Sequence, residues 1–376
     1  MTSHEVGVGL VGSGFIGRVH AETFSSSAVA SVRAVASRSP DRAAAFAAEW
    51  RIPAWHIDYR ELVERPDVDL VCVAAPNWLH RDVVVAAADA GKHVVCEKPL
   101  ARTLREADEM IAVCRAAGVK LMYAEELCFA PKYVRAKELA DEGALGDVYL
   151  VRQSEQHFGP HSDWFWDPEL AGGGTLMDMG CHGIEFARWV HGKPPVRSVS
   201  AEVGTFVHRE RTRAEDHAIV TIRFEGQRVA LIEASWAKPG GVDDRAEIVG
   251  SMGVTYADLL RGSSLTTYSD VGYGYAVEKA PDTRGWTFTM FDELWNSGFP
   301  QEMDHFARCV AEDEVPRETG EDGRAVLEII YAAYRAARLG RVEVPLQLTD
   351  DEAARPPFAQ LEDGGTQPDP GEGRSL

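Results

Sequence analysis

Lys98, Asp178 and His182 are the residues of this chain whose types and spacing suggest reaction chemistry. Lys98 stands in Glu97-Lys98-Pro99, at the carboxyl end of a short apolar run that reads as a strand. Ligands of open α/β sheets bind beyond that end of the strands. A lysine there can donate to a hydroxyl or carbonyl oxygen, and burial is expected to lower its pKa toward a catalytic range. Taken alone, the tripeptide also fits an ordinary surface lysine before a turn. Asp178 and His182 follow Gly172-Gly173-Gly174 and lie four residues apart. On a helix they share a face, where a carboxylate fixes the tautomer of an imidazole and favours its charged form. That is what a proton-transfer pair needs, although solvated helices carry the same spacing. No third ligand stands at helpful spacing, so no metal site is expected.

A second group of residues points to a nucleotide. Gly12-x-Gly14-x-x-Gly17, with Phe15 and Ile16 inside it, lies between an apolar strand-like run and a helical one. Glycines there permit a tight turn, a close approach of pyrophosphate and close helix–strand packing. The flanking elements favour this dinucleotide reading over a plain glycine-rich turn. An NAD-preferring site ends its second strand with Asp or Glu. Here that strand ends in Ser37-Arg38-Ser39, whose hydroxyl and guanidinium suit a 2′-phosphate, so NADP is favoured over NAD. Asp41 lies close enough to blur the distinction. The segment 156–166 collects His157, Trp164 and Trp166, which could hold a sugar ring or simply pack together.

The elements that must position these groups change character along the chain. Residues 6–11, 32–36, 70–74, 93–96 and 120–124 read as strands alternating with helices, on a six-stranded parallel plan. After about residue 125 strands dominate, at 147–155, 196–207, 217–224, 228–236 and 245–250. The expected fold class is therefore α/β. A Rossmann domain (1–125) precedes an α+β domain (126–348) with a large, mostly antiparallel open sheet. Helices are expected at 301–311 and 324–339, and an acidic disordered tail at 349–376.

Bulk properties narrow the partners. The net charge of −20, from 39 basic and 59 acidic residues, argues against nucleic acid. No apolar run approaches the roughly 20 residues of a membrane span, and no leader is evident, so a cytoplasmic location is expected. The six cysteines are scattered in apolar surroundings and read as small core residues, leaving catalytic thiol chemistry at Cys128 or Cys181 a minor alternative.

The Rossmann opening, the Glu97-Lys98-Pro99 tripeptide and the Asp178/His182 spacing occur in an order that resembles the Gfo/Idh/MocA family, from about residue 6 to about 346. Ala75-Pro76-Asn77 with His80, and Thr319-Gly320-Glu321-Asp322-Gly323, add to the likeness. The resemblance implies an NAD(P)-dependent oxidoreductase acting on a sugar or cyclitol. By the same resemblance Lys98 contacts the reacting hydroxyl and the nicotinamide ribose, His182 is the acid/base, and Asp178 helps hold substrate. It further implies a cis peptide before Pro99 and a homo-oligomer, dimer or tetramer, built through the second-domain sheet. Where many relatives carry an arginine after the last Rossmann strand, this chain has Glu126-Leu127-Cys128-Phe129, so Glu126 replaces a cation near the substrate. Two rival functions are a glycosidase-like lyase that uses transient oxidation and a cofactor-sensing scaffold without turnover.

Overall fold

The computed structural model describes residues 5–260, 265–269, 282, 284–289, 292–340 and 348–362. The first half is a run of strand–helix units: β1 (Val6–Val11), α1 (Phe15–Ser25), β2 (Ala30–Ala36), α2 (Pro40–Trp50), β3 (Ala54–His56), α3 (Tyr59–Val63), β4 (Leu70–Val73), α4 (His80–Asp89), β5 (His93–Glu97), α5 (Leu104–Ala117) and β6 (Leu121–Ala124). All pairings are parallel, in the order β3-β2-β1-β4-β5-β6. β1, β4 and β6 are buried throughout, which explains why they read as unbroken apolar runs. The sixth strand of the plan is β3, an edge strand of only three residues, too short to show a period. The order reverses between β1 and β4, so a crevice opens beyond their carboxyl ends.

The second half contains α6 (Pro131–Asp141), β7 (Val148–Gln156), α7 (Pro168–Ala171), α8 (Cys181–Val190), β8 (Val196–Gly204), β9 (His217–Phe224), β10 (Arg228–Ser235), β11 (Asp243–Gly250) and β12 (Val254–Asp258). These strands form a six-stranded sheet in the order β12-β11-β7-β10-β9-β8. β7 and β10 are parallel and the other neighbours antiparallel. β13 (Leu265–Ser269) and β14 (Gly285–Thr289) pair with each other. The buried positions of β9 alternate (Ala218, Val220, Ile222, Phe224), so one sheet face packs inward while Ile219 and Arg223 face out. α8 and the later helix α11 (Gly320–Arg338) cover the inner face.

Two departures concern the end of the chain. After α9 (Glu293–Ser297) comes α10 (Phe299–Ala311), which returns to the first domain and packs on α1. Its Met303, Phe306, Ala307 and Cys309 join Val8, Leu10 and Phe24 in one core cluster. α11 starts at a capping box in which the Thr319 and Asp322 side chains satisfy each other's backbone, so the Thr319–Gly323 motif is first of all a helix start. The disorder expected from residue 349 is corrected for its first part. Thr349 caps α12 (Asp350–Ala353), and α13 (Ala359–Glu362) docks against α11 with Phe358 4% exposed. A few apolar residues suffice to hold this segment despite its acidic composition. Residues 363–376 of that expected tail lie outside the described residues.

Candidate active site

The glycine turn and the adjoining strand ends form one cleft of ≈ 1180 Å³ that runs into the second domain. Gly12 has φ +121°, and a Cβ there would stand 2.1 Å from the carbonyl oxygen of Ala74. Gly17 lies under the turn, where a Cβ would meet the Gly12 carbonyl oxygen at 2.4 Å, and it does not line the cleft. At Gly14 a Cβ would meet nothing within 4 Å, and no side chain caps the start of α1. Free first-turn amides beside open space are what a pyrophosphate requires, so these residues fit a dinucleotide.

Phe15, Ile16, Ser37, Arg38, Ala75, Pro76, Asn77, Glu97 and Lys98 line the same cleft. Ser13 donates to Ser37 Oγ at 2.8 Å, while Arg38 and Arg42 are exposed at its rim. Asp41, the acid that blurred the cofactor reading, does not line the cleft. Asn77 donates to the Ala171 carbonyl at 2.8 Å, tying the two domains together beside the cleft. His80, expected to touch cofactor, instead lies outside the cleft and fully buried. Its ring nitrogens face the carbonyl oxygens of Ala75 at 2.8 Å and Pro99 at 3.1 Å, so it clamps two strand-end loops.

Lys98 leaves β5 just before a cis peptide to Pro99 and reaches the turn before α8. Its Nζ donates to the Asp178 carbonyl at 2.8 Å and to Asp178 Oδ1 at 3.2 Å. Burial is the largest single influence and opposes the ammonium, yet Asp178 together with Cys181, Glu126 and Glu155 outweighs it and holds Lys98 well above its ordinary value. The lowered pKa expected for Lys98 is therefore corrected. The group stays a cation and acts as a charge-assisted donor. Burial opposes the Asp178 carboxylate, but Lys98, His157, His161 and the Trp236 hydrogen bond together outweigh it and push Asp178 to about 2; Trp236 Nε1 donates to its Oδ2 at 3.0 Å.

The expected pairing of Asp178 with His182 does not form. Residues Leu176–Gly180 make a π-helical turn that runs into α8. Asp178 is spent on Lys98 and Trp236, and the carboxyl beside His182 Nδ1 is that of Glu125, at 2.5 Å. Glu126 lies at 3.6 Å from the same nitrogen. Burial lowers His182 to about 4 and raises Glu125 to about 8 and Glu126 to about 7. His182 lines the cleft as a neutral imidazole at pH 7. The Cys181 thiol, pushed well up by burial, donates to the Asp178 carbonyl at 3.3 Å.

The aromatic segment divides. His157 and Trp164 line the cleft, with Trp78 edge-on to Trp164 at 5.3 Å and His161 stacked on Phe15 at 4.4 Å. Trp166, expected at the substrate, is outside the cleft. It packs on Trp236 at 5.4 Å and His208 at 4.9 Å, under Arg211. The sequence reading also missed Glu125, Glu155, Asp244 and Trp236. Two successive acids at the end of a buried strand were a signal for Glu125, but nothing local marked the others.

Comparison with known proteins decides the lineage. Residues 6–125 match the family described as "Oxidoreductase family, NAD-binding Rossmann fold", and residues 133–255 match the "GFO/IDH/MocA C-terminal domain". The chain belongs to the Gfo/Idh/MocA family of oxidoreductases. Myo-inositol 2-dehydrogenase of Thermotoga maritima is 29% identical to this family member, over 88% of this chain and 95% of that one. D-xylose 1-dehydrogenase (NADP(+)) 2 of Haloferax volcanii is 32% identical, over 82% and 90%. The crystal structure of GenD2 from gentamicin A biosynthesis in complex with NAD superposes with a TM-score of 0.86 at 32% identity, covering 93% and 98%. The protein is an NAD(P)-dependent oxidoreductase. No helix among the described residues is long and apolar enough to cross a membrane.

Proposed function

We propose that this protein transfers a hydride between a nicotinamide and a secondary hydroxyl or keto carbon of a sugar, sugar derivative or cyclitol. The observation that carries this reading is the convergence of Lys98 and His182 on a cleft that begins at the glycine turn. A bound nicotinamide dinucleotide would accept or supply the hydride. Neutral His182 takes the proton of the substrate hydroxyl, and the Lys98 ammonium, held by Asp178, stabilises the developing alkoxide. Run backwards, the same groups reduce a ketone. Glu126, Glu155 and Asp244 line the substrate end and can accept from ring hydroxyls or from an amino substituent. Trp164 offers an aromatic wall for an apolar ring face. The relatives above are named as dehydrogenases, so neither the lyase nor the sensor reading gains support. Sugars, amino sugars and cyclitols offered with each cofactor should give reduced nicotinamide, followed by absorbance. Cofactor binding without turnover of any member of that set would overturn the reading.

NADP is the favoured cofactor, because Arg38 and Arg42 line the cleft where Asp41 does not. Arg38→Ala should weaken NADP binding more than NAD binding by calorimetry, and equal losses would remove Arg38 from 2′-phosphate recognition. The outward face of the second sheet, with Tyr149, Ile219 and Tyr256 exposed, suits a homo-oligomer, dimer or tetramer. Light scattering should show a mass above the 41.2 kDa chain.

A further inference from the structure

We propose that Glu125 is the positioning residue of the acid–base group. Its carboxyl holds Nδ1 of His182 and shares one proton with it, so that Nε2 meets the substrate oxygen bare in oxidation and protonated in reduction. The inference rests on the hydride-transfer reading above and deepens it.

Glu125 follows β6 directly and is 0% exposed, while His182 is 2% exposed. Oε1 of Glu125 lies 2.5 Å from Nδ1, and Oε2 is buried without a hydrogen-bond partner. His182 lines the cleft but Glu125 does not, so the carboxyl stands behind the imidazole as seen from substrate. Asp178, the acid that sequence spacing offers for this task, is taken by Lys98 and Trp236. The pair sits among the Lys98 ammonium, the Glu97 carboxyl at the end of β5, Glu126, and Asp178 of the π-helical turn. Glu302 of α10, Tyr123 of β6 and the Cys181 thiol also face it.

With one proton on the pair, Nδ1–H donates to the Glu125 carboxylate and Nε2 is bare. A second proton makes Glu125 neutral or His182 cationic, and in both arrangements Nε2 carries hydrogen. Dry surroundings favour the neutral arrangement, which is why burial raises Glu125 to about 8 and lowers His182 to about 4. Those two values describe the pair, whose upper midpoint governs whether Nε2 is free. In oxidation the substrate O–H bond breaks and its proton goes to Nε2. The C–H electron pair would leave with its hydrogen as hydride to a bound oxidised nicotinamide, so that the alcohol becomes a ketone. The proton stays on the pair until solvent takes it. Oxidation should therefore rise as pH increases through the upper midpoint, and reduction should fall.

Glu125→Gln and Glu125→Asp test this in the full-length protein. Glu125→Gln should lower kcat for oxidation about a hundredfold or more, with KM and cofactor affinity nearly unchanged. Its rising limb should move toward acid, because a lone His182 depressed by burial then governs Nε2. Glu125→Asp should restore part of kcat and part of the limb. A second readout needs no substrate: 15N-histidine NMR of the cofactor-free protein, with His182→Asn marking the signal. Above the upper midpoint of the wild type, His182 should carry its proton on Nδ1, and Glu125→Gln should shift that titration. Parent kcat with an unmoved limb in Glu125→Gln, or a wild-type His182 with Nε2 protonated above the midpoint, overturns the proposal. If Glu125→Gln fails to fold, the wild-type tautomer and Glu125→Asp decide the question. A confirmed tautomer without turnover of any sugar would count against the proposed reaction and leave the pair standing.

Discussion

Lys98 keeps its charge against the cost of burial because Asp178 offers it both a carboxylate and a backbone carbonyl. His182 keeps its neutrality because burial outweighs the carboxyls around it. One group is thus a charged donor and the other a neutral imidazole, the division of labour that the proposed alkoxide formation requires. Lys98→Ala or His182→Ala should lower kcat by about a hundredfold or more while calorimetry shows cofactor still bound. Parent turnover in either variant would remove that residue from the chemical step. These two were legible from residue type and spacing. Their partners were not, because the hydrogen bond between Glu125 and His182 spans 57 positions of sequence.

At the scale of elements, the glycine turn shows local geometry dictating residue type. The positive φ of Gly12 and the closeness of the Ala74 carbonyl leave no room for a Cβ. Gly12→Ala should push β1 away from β4, lower the melting temperature seen by circular dichroism and abolish NAD(P) binding in calorimetry. A variant with parent binding would show that the turn tolerates displacement. The π-helical turn at Leu176–Gly180 taught the opposite lesson. Spacing in the sequence assumed a regular helix on which residues four apart share a face. The wider turn and the pull of Lys98 instead separate the tasks of Asp178 and His182. Trp164 and Trp166, two residues apart, also part company, one toward the cleft and one into packing.

For the whole molecule, the return of α10 to the first domain joins the two halves. Phe306 is 0% exposed within a cluster that contains β1 residues and also Phe129 at 5.5 Å. Phe306→Ala should therefore cost about 3–5 kcal/mol in denaturant unfolding, the scale for a buried phenylalanine. It should loosen the Rossmann half as well as its own. A loss confined to well under 1 kcal/mol would mean that α10 is an appendage. The helix itself was foreseeable from its apolar spacing, but its docking partner was not, since an amphipathic face does not say which surface covers it.

The sequence by itself determined the elements whose signals are local. Buried strands read as apolar runs, the glycine turn as a strand-to-helix turn, and Lys98 and His182 as candidate groups that the structure brings to one cleft. Tertiary structure alone decided which carboxylate serves which base, which tryptophan meets the cleft, and why His80 became a clamp. Those outcomes depend on distances between residues far apart in the chain and on burial, which sets pKa values and hydrogen-bond partners only once the two domains have closed around the site.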